Sequence, residues 1–194
     1  MSSSGQRTDA VAVLIGMADR MRPQLRAREH ELRSLYGMLF LAASIAAAHQ
    51  DDAALAFAMH QEAETAAERM GPRHNAHQTS FGRANVAVHR VAALVRLHEG
   101  GRALEYSQSI DMALVETLPP ERRANYLLDL TQALVQVGRY CDAVRTLGEA
   151  EHIAAEEVRC RPLAHRLLRS LMDATSGESG RLVRQLAIRA GLTA

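Results

Sequence analysis

The feature that most limits the fold of this chain is a doubled helical pattern around Gly138. Leu127, Leu130, Thr131 and Leu134 recur at helical spacing before it, and Tyr140, Ala143, Leu147 and Ala150 do so after it. One helix pair cannot bury such a face alone, so the pattern predicts stacking against further pairs. Small residues at 143 and 150 let two helices approach closely, and Leu147 fills the gap to the next pair. Gly138 permits the left-handed turn between them.

Composition agrees with helices packed on small side chains. Of the 194 residues, 47% are apolar but only 4% aromatic, and Trp is absent. Alanine and leucine carry the apolar load, which argues against a β-sandwich rich in β-branched and aromatic residues. No segment alternates with period two. The chain reads as all-α, with about nine helices over 9–21, 24–49, 51–70, 80–98, 103–116, 121–137, 140–153, 162–173 and 181–190. Pro23 separates the first two. Asp51 and Asp52 suit the start of the third, and Gly71-Pro72 stops it. Residues 71–79 form the longest loop, Gly100-Gly101 a turn, and Pro120 and Pro162 suit first-turn positions. Residues 1–7 are small, polar and aperiodic and read as disordered. Residues 8–194 read as a single domain, with capping helices over 160–190.

The clearest repeats cover 80–116 and 121–153. In the first, Val91 and Leu94 precede Gly100-Gly101, and Ala103, Ser107 and Ile110 follow. A weaker copy places Phe40, Ala43, Ser44 and Ala47 before Asp52, and Ala56, His60 and Ala63 after it. This pattern resembles the tetratricopeptide (TPR) repeat, which implies a right-handed solenoid of helical hairpins. The spacing is irregular, and an unrelated helical bundle also accommodates it.

A more specific likeness runs through residues 32–172. LRSLYGMLFLAASIAAA, then the continuous stretch from GPRHNAHQTSFGRANVAVHR to QVGRYCDAVRTLGEAE, then EEVRCRPLAHRLLRSLM occur in that order. Together they resemble the C-terminal TPR region of actinobacterial Xre-type helix-turn-helix transcriptional regulators. The resemblance is most specific over 71–158. Where that family often reads W-T-x-F-G-P-T-N, this chain reads QTSFGRAN at 78–85. Phe81, Gly82 and Asn85 match, while Gln78 replaces Trp and Arg83-Ala84 replace Pro-Thr. The resemblance implies a ligand-sensing module that acts through a protein partner, a DNA-binding regulator, and Cys141 and Cys160, read as reduced, suit a cytoplasmic protein. A structural adaptor with no small ligand, or a fragment of a full-length regulator, stays open at this point.

In TPR stacks the first helix of each pair lines the concave face. That register turns Asn85, Val88, Ala92, Val95 and Arg96 inward from one pair, and Asn125, Leu128, Gln132, Val135 and Gln136 from the next. His89 joins them as a groove or interhelix residue. The candidate ligand-binding set is therefore Asn85, His89, Arg96, Asn125, Gln132 and Gln136. An Asn amide both donates and accepts, which suits a peptide backbone, and an Arg suits a carboxylate. The expected occupant is a peptide or a small molecule.

Other chemistry finds little support. His60, His74, His77 and His89 lack the spacing of a metal site, so no metal or cofactor is expected. Glu62/Glu64 and Glu156/Glu157 do not share a helix face, and no nucleophile motif occurs; the chain does not read as an enzyme. Net charge is +1, which argues against direct nucleic-acid binding by the whole chain. Residues 99–158 nevertheless carry 5 Arg against 11 carboxylates, and 159–194 carry 7 Arg against 2. RLVRQLAIRAGLT (181–193) resembles the first helix of a helix-turn-helix, but it reads as a capping helix because no recognition helix follows. Cys141 and Cys160 form no framework. AVAVLIGMA (10–18) has no A-x-A cleavage site after it. Leu35–Ala48 is short of the ~20 residues that span a bilayer, so no membrane association is expected. Exposed ends of such a stack leave a homodimer open.

Overall fold

Gly138 does adopt the left-handed conformation, with φ 75°, and it separates two helices that pack along each other. In the computed structural model, which describes residues 3–22, 25, 31–70 and 81–192, all regular structure among the described residues is helical. Eleven helices run in order: α1 (Ser3–Met21), α2 (Glu31–Ala48), α3 (Ala53–Glu68), α4 (Arg83–Arg96), α5 (Gly100–Gln108), α6 (Met112–Glu116), α7 (Pro120–Gln136), α8 (Tyr140–Ile153), α9 (Ala155–Cys160), α10 (Pro162–Ala174) and α11 (Gly177–Arg189).

Two more helices are present than the nine expected. One arises because 103–116 breaks at Ser109–Asp111, where the Asp111 carboxylate caps α6 by accepting from the Ala113 N–H at 2.9 Å. The other is α9. α1 begins at Ser3 rather than at Thr8 or Asp9, and α11 begins at Gly177, so most of the expected 176–180 loop is helical. The Pro23 break, the 71–79 loop with His74, His77 and Gln78, and the helix start near Ser80 lie outside the described residues. No helix among the described residues is long and apolar enough to cross a membrane.

The chain clusters into two compact units: residues 1–97 with 111–117, and residues 98–110 with 118–194. In the first unit α2 and α3 form a hairpin, with α1 and α4 packed on it and α6 on α4. The turn between α2 and α3 is a Schellman motif with Asp51 in the left-handed position at φ 59°. The Asp52 N–H bonds to the Ala47 carbonyl at 3.1 Å and the Asp51 N–H to that of Ala48 at 3.2 Å. Asp52 then caps α3, accepting from the Leu55 N–H at 2.9 Å. The interface between the helices is largely alanine: Ala47, Ala48, Ala56 and Ala93 are buried together. The Ser44 hydroxyl donates across it to the Ala56 carbonyl at 2.8 Å. Phe81 is buried flat against Gly37 of α2, where an added Cβ would fall 1.9 Å from the ring.

In the second unit α7 and α8 form the equivalent hairpin. The Arg139 N–H bonds to the Leu134 carbonyl at 2.9 Å and the Gly138 N–H to that of Val135 at 3.1 Å, which is the same Schellman pattern with glycine in the strained place. Ala124, Ala143 and Ala150 line its core with Leu128, Leu147, Leu168 and Leu171. α10 and α11 pack as a further pair, and α5 lies on α7. Gly100-Gly101 is not the turn. The left-handed residue is His98, at φ 59°, and both glycines already belong to α5. Gly100 instead permits a close approach: a Cβ there would lie 2.8 Å from the Ala133 carbonyl oxygen of α7. Glu151 of α8 accepts from Arg159 of α9 at 2.7 Å and Arg189 of α11 at 2.8 Å. These bonds, Arg189 foremost, hold the Glu151 carboxyl below the usual range.

Ala143 has no exposed surface, so a larger side chain there has to separate α7 from α8. Ala143→Leu is expected to lower unfolding stability by ~1–3 kcal/mol in urea titration. Glu149→Ala, on the exposed face of the same helix, is expected to change it by less than about 0.5 kcal/mol. Equal effects at the two positions would refute the close-packed hairpin.

Candidate functional site

The six expected site residues divide between the units. Asn85, His89 and Arg96 lie on α4 in the first, and Asn125, Gln132 and Gln136 on α7 in the second. Of the apolar positions assigned to a groove wall, Val88, Ala92, Val95 and Leu128 are buried in the core and Val135 is half-buried against it.

Asn85 stands in the first turn of α4, after Phe81 and Gly82. It has no exposed surface. Its Nδ2 donates to the Met38 sulfur of α2 at 3.4 Å, a weak acceptor. Its Oδ1 is buried and accepts no hydrogen bond. The Asn85 backbone oxygen meets His89 Nδ1 at 2.8 Å, so in the neutral ring the proton sits on Nδ1 and Nε2 is the acceptor. Arg96 is half-buried and donates from Nη1 to the Ala92 carbonyl at 3.2 Å. On α7 the Asn125 residue is half-buried, yet its Oδ1 is buried and again accepts nothing. Gln132 and Gln136, two and three turns further along α7, are half-buried. The two Asn residues placed at equivalent register positions thus share one property, an enclosed carbonyl oxygen without a donor.

Another enclosed polar atom sits on α3. His60 is 2% exposed and its Nδ1 makes no hydrogen bond. Burial, with the Arg90 and His89 charges of α4 adding to it, pushes the ring's pKa down to about 4. His60 is therefore a neutral core histidine. Arg90 stacks over the Phe57 ring at 4.3 Å, which keeps its charge beside α3. No group of three metal-binding side chains occurs among the described residues.

The sequence reading missed a cavity of about 450 Å³ in the first unit, where the end of α1 meets α2 and α3. Arg22, Arg33 and Arg69 line it with Glu62 and Tyr36. The available signal was faint: three arginines dispersed over 48 positions, in a chain whose only basic residue besides His is Arg.

The depressed His60 pKa fixes the sign of a pH effect. The unfolded ring takes a proton below about 6.5, while the folded one resists until about 4. Between those values the unfolded state binds more protons, so stability is full above pH 6.5 and falls as pH drops toward 4. The loss is expected to approach ~3 kcal/mol. His60→Gln should flatten this part of the profile; urea midpoints at pH 7.5 and 4.5 for both proteins measure it, and parallel profiles would contradict a buried neutral His60. Compared with known protein families, with curated proteins and with solved structures, the chain matches none.

Proposed function

We propose that this protein is a regulatory binding module. In this reading it is a TPR-like array of helical hairpins that takes a peptide or small molecule and acts through a protein partner, as its resemblance to the sensor region of Xre-type regulators implies. The observation that carries the proposal is the pair of enclosed, donorless oxygens on Asn85 and Asn125. A buried acceptor without a partner costs ~1–3 kcal/mol. A core selected only for stability replaces such a group with an apolar one of similar shape. Retention in each unit fits a role in which bound groups supply the donors there, such as peptide N–H groups.

His89 and Arg96 extend the same helix face one and three turns beyond Asn85. They add a ring nitrogen and a cation for the polar or acidic end of such a ligand. Gln132 and Gln136 play the corresponding part after Asn125. Ligand binding then rearranges side chains that pack within each hairpin, and the partner reads that change.

The test separates a binding role from a stability role. Asn125→Leu is expected to stabilise the free protein by about 1 kcal/mol, because a buried acceptor without a donor is removed. The same change should abolish the thermal shift produced by the ligand. A ligand at 100 times its dissociation constant stabilises the wild type by ~2.7 kcal/mol. The probes are the small-molecule fraction of a cell extract and a pool of tryptic peptides, followed by differential scanning calorimetry. A destabilised Asn125→Leu, or a ligand shift that survives it, rejects the assignment. A wild type that responds to neither pool favours a plain structural adaptor.

A further inference from the structure

The cavity of about 450 Å³ in the first unit has an unbalanced charged lining. Three guanidinium groups, from Arg22, Arg33 and Arg69, share it with one carboxylate, Glu62. Arginine stays charged throughout the working pH range, so the lining carries an excess of two positive charges. Asp19 offsets part of the Arg22 charge from outside the lining, at 3.4 Å and with both side chains more than half exposed. The remaining excess has no carboxylate to meet it among the lining residues.

Among the described residues, scaffolding bonds account for part of the Arg22 and Arg33 capacity, and for none of the Arg69 guanidinium. Arg33 Nη1 donates to the Arg69 backbone carbonyl at 3.2 Å, which holds its guanidinium over the end of α3. No hydrogen bond or ion pair of the Arg69 side chain occurs among the described residues. Tyr36 provides a floor: its ring packs edge-on to Phe40 in the core, 4.8 Å between centroids. Burial holds its hydroxyl protonated, and the hydroxyl oxygen accepts from the Arg22 guanidinium, which opposes that shift. Leu25 and Ala66 supply apolar wall. Convergent cations, a phenol and a short apolar wall in a space of this size match a small-molecule site. Guanidinium forks match the paired oxygens of a carboxylate or phosphate.

We infer that this cavity binds a small organic oxyanion, with its phosphate or carboxylate group held by Arg33 and Arg69 and its remaining atoms against Leu25 and Ala66. Clustered positive charge raises the local concentration of such an anion. Glu62 opposes it and limits occupancy to ligands that place their negative charge at the arginine side. None of these residues belongs to the Asn85 and Asn125 assignment, so either proposal stands if the other fails.

Isothermal titration of the full chain at low ionic strength tests the inference, with inorganic phosphate, glycerol 3-phosphate and succinate as probes. At least one of them is expected to bind, and sodium chloride at matched ionic strength is not expected to reproduce the effect. A response to the phosphates alone or to succinate alone identifies the source of the oxyanion. Arg69→Gln, which leaves the Arg33 bond to the backbone in place, is expected to weaken binding about tenfold or more. Glu62→Gln is expected to tighten it. Arg33→Gln is informative only if circular dichroism shows the fold intact, and Arg69→Gln carries the test otherwise. Absence of binding by all three probes, wild-type affinity in Arg69→Gln, or weaker binding in Glu62→Gln overturns the inference.

Discussion

Close approach of antiparallel helix backbones is the constraint on which both units depend. It is possible only because the contact residues are small. Ala56 and Ala63 on α3, and Ala143 and Ala150 on α8, have no exposed surface at all. Gly100 and Gly37 carry the same logic to its limit, since neither position tolerates even a Cβ without displacement of its neighbour. Such an interface gains little transfer free energy per residue, because an alanine buries one methyl group. It gains dispersion from the backbones themselves and from the larger side chains that the seam lets close over it. Phe81, Leu41, Leu128 and Leu147 occupy those places. The low aromatic content is compatible with this geometry.

A tight seam makes each enclosed polar group conspicuous. Ser44 and Thr131 solve the problem locally, by donating to the carbonyls of Ala56 and Leu127. Glu151 solves it with two guanidinium groups. His60, Asn85 and Asn125 do not solve it within the chain. His60 escapes the worst cost by staying neutral, since a buried unpaired cation is far more expensive than a buried imidazole. An amide has no comparable escape, so the enclosed oxygens of Asn85 and Asn125 keep that cost in full.

The features legible in the sequence were those with a local cause. Gly138 is left-handed as expected, and α8 runs from Tyr140 to Ile153 as its periodicity indicates. Pro120 and Pro162 open helices because a first turn needs no N–H there. Asp52 caps α3 for an equally local reason. Gly100-Gly101 misled because glycine serves both turns and close approaches, and only the position of α7 reveals which. His98 and Asp51 carry positive φ in place of glycine, which no composition rule singles out. The orientation of Val88, Val95 and Leu128 was misread for a related reason. A helical repeat shows that a face is apolar, whereas a neighbour decides whether it is a wall or a core. Phe81, matched by resemblance, owes its place to Gly37, a contact across 44 positions. The Arg22, Arg33 and Arg69 cluster is likewise assembled by the hairpin and has no sequence spacing of its own.

The two units are stabilised in different ways, and the difference bears on where a ligand can act. In the second, the hairpin core is continuous with α10 and α11, and Glu151 clamps α9 and α11 onto α8. The Glu151 pairs lose their effect only when the carboxyl is protonated, well below neutral pH. In the first, α3 is asked to satisfy more. One side of it meets α4 through His60, and another meets the arginine cavity through Glu62 and Arg69. Both are places where the folded state leaves charge or hydrogen-bonding capacity unspent. A ligand stabilises a protein only to the extent that it meets groups the fold has not already met. Unspent capacity in the first unit therefore concentrates on α3 and α4, and any molecule that supplies it changes the stability of that unit first.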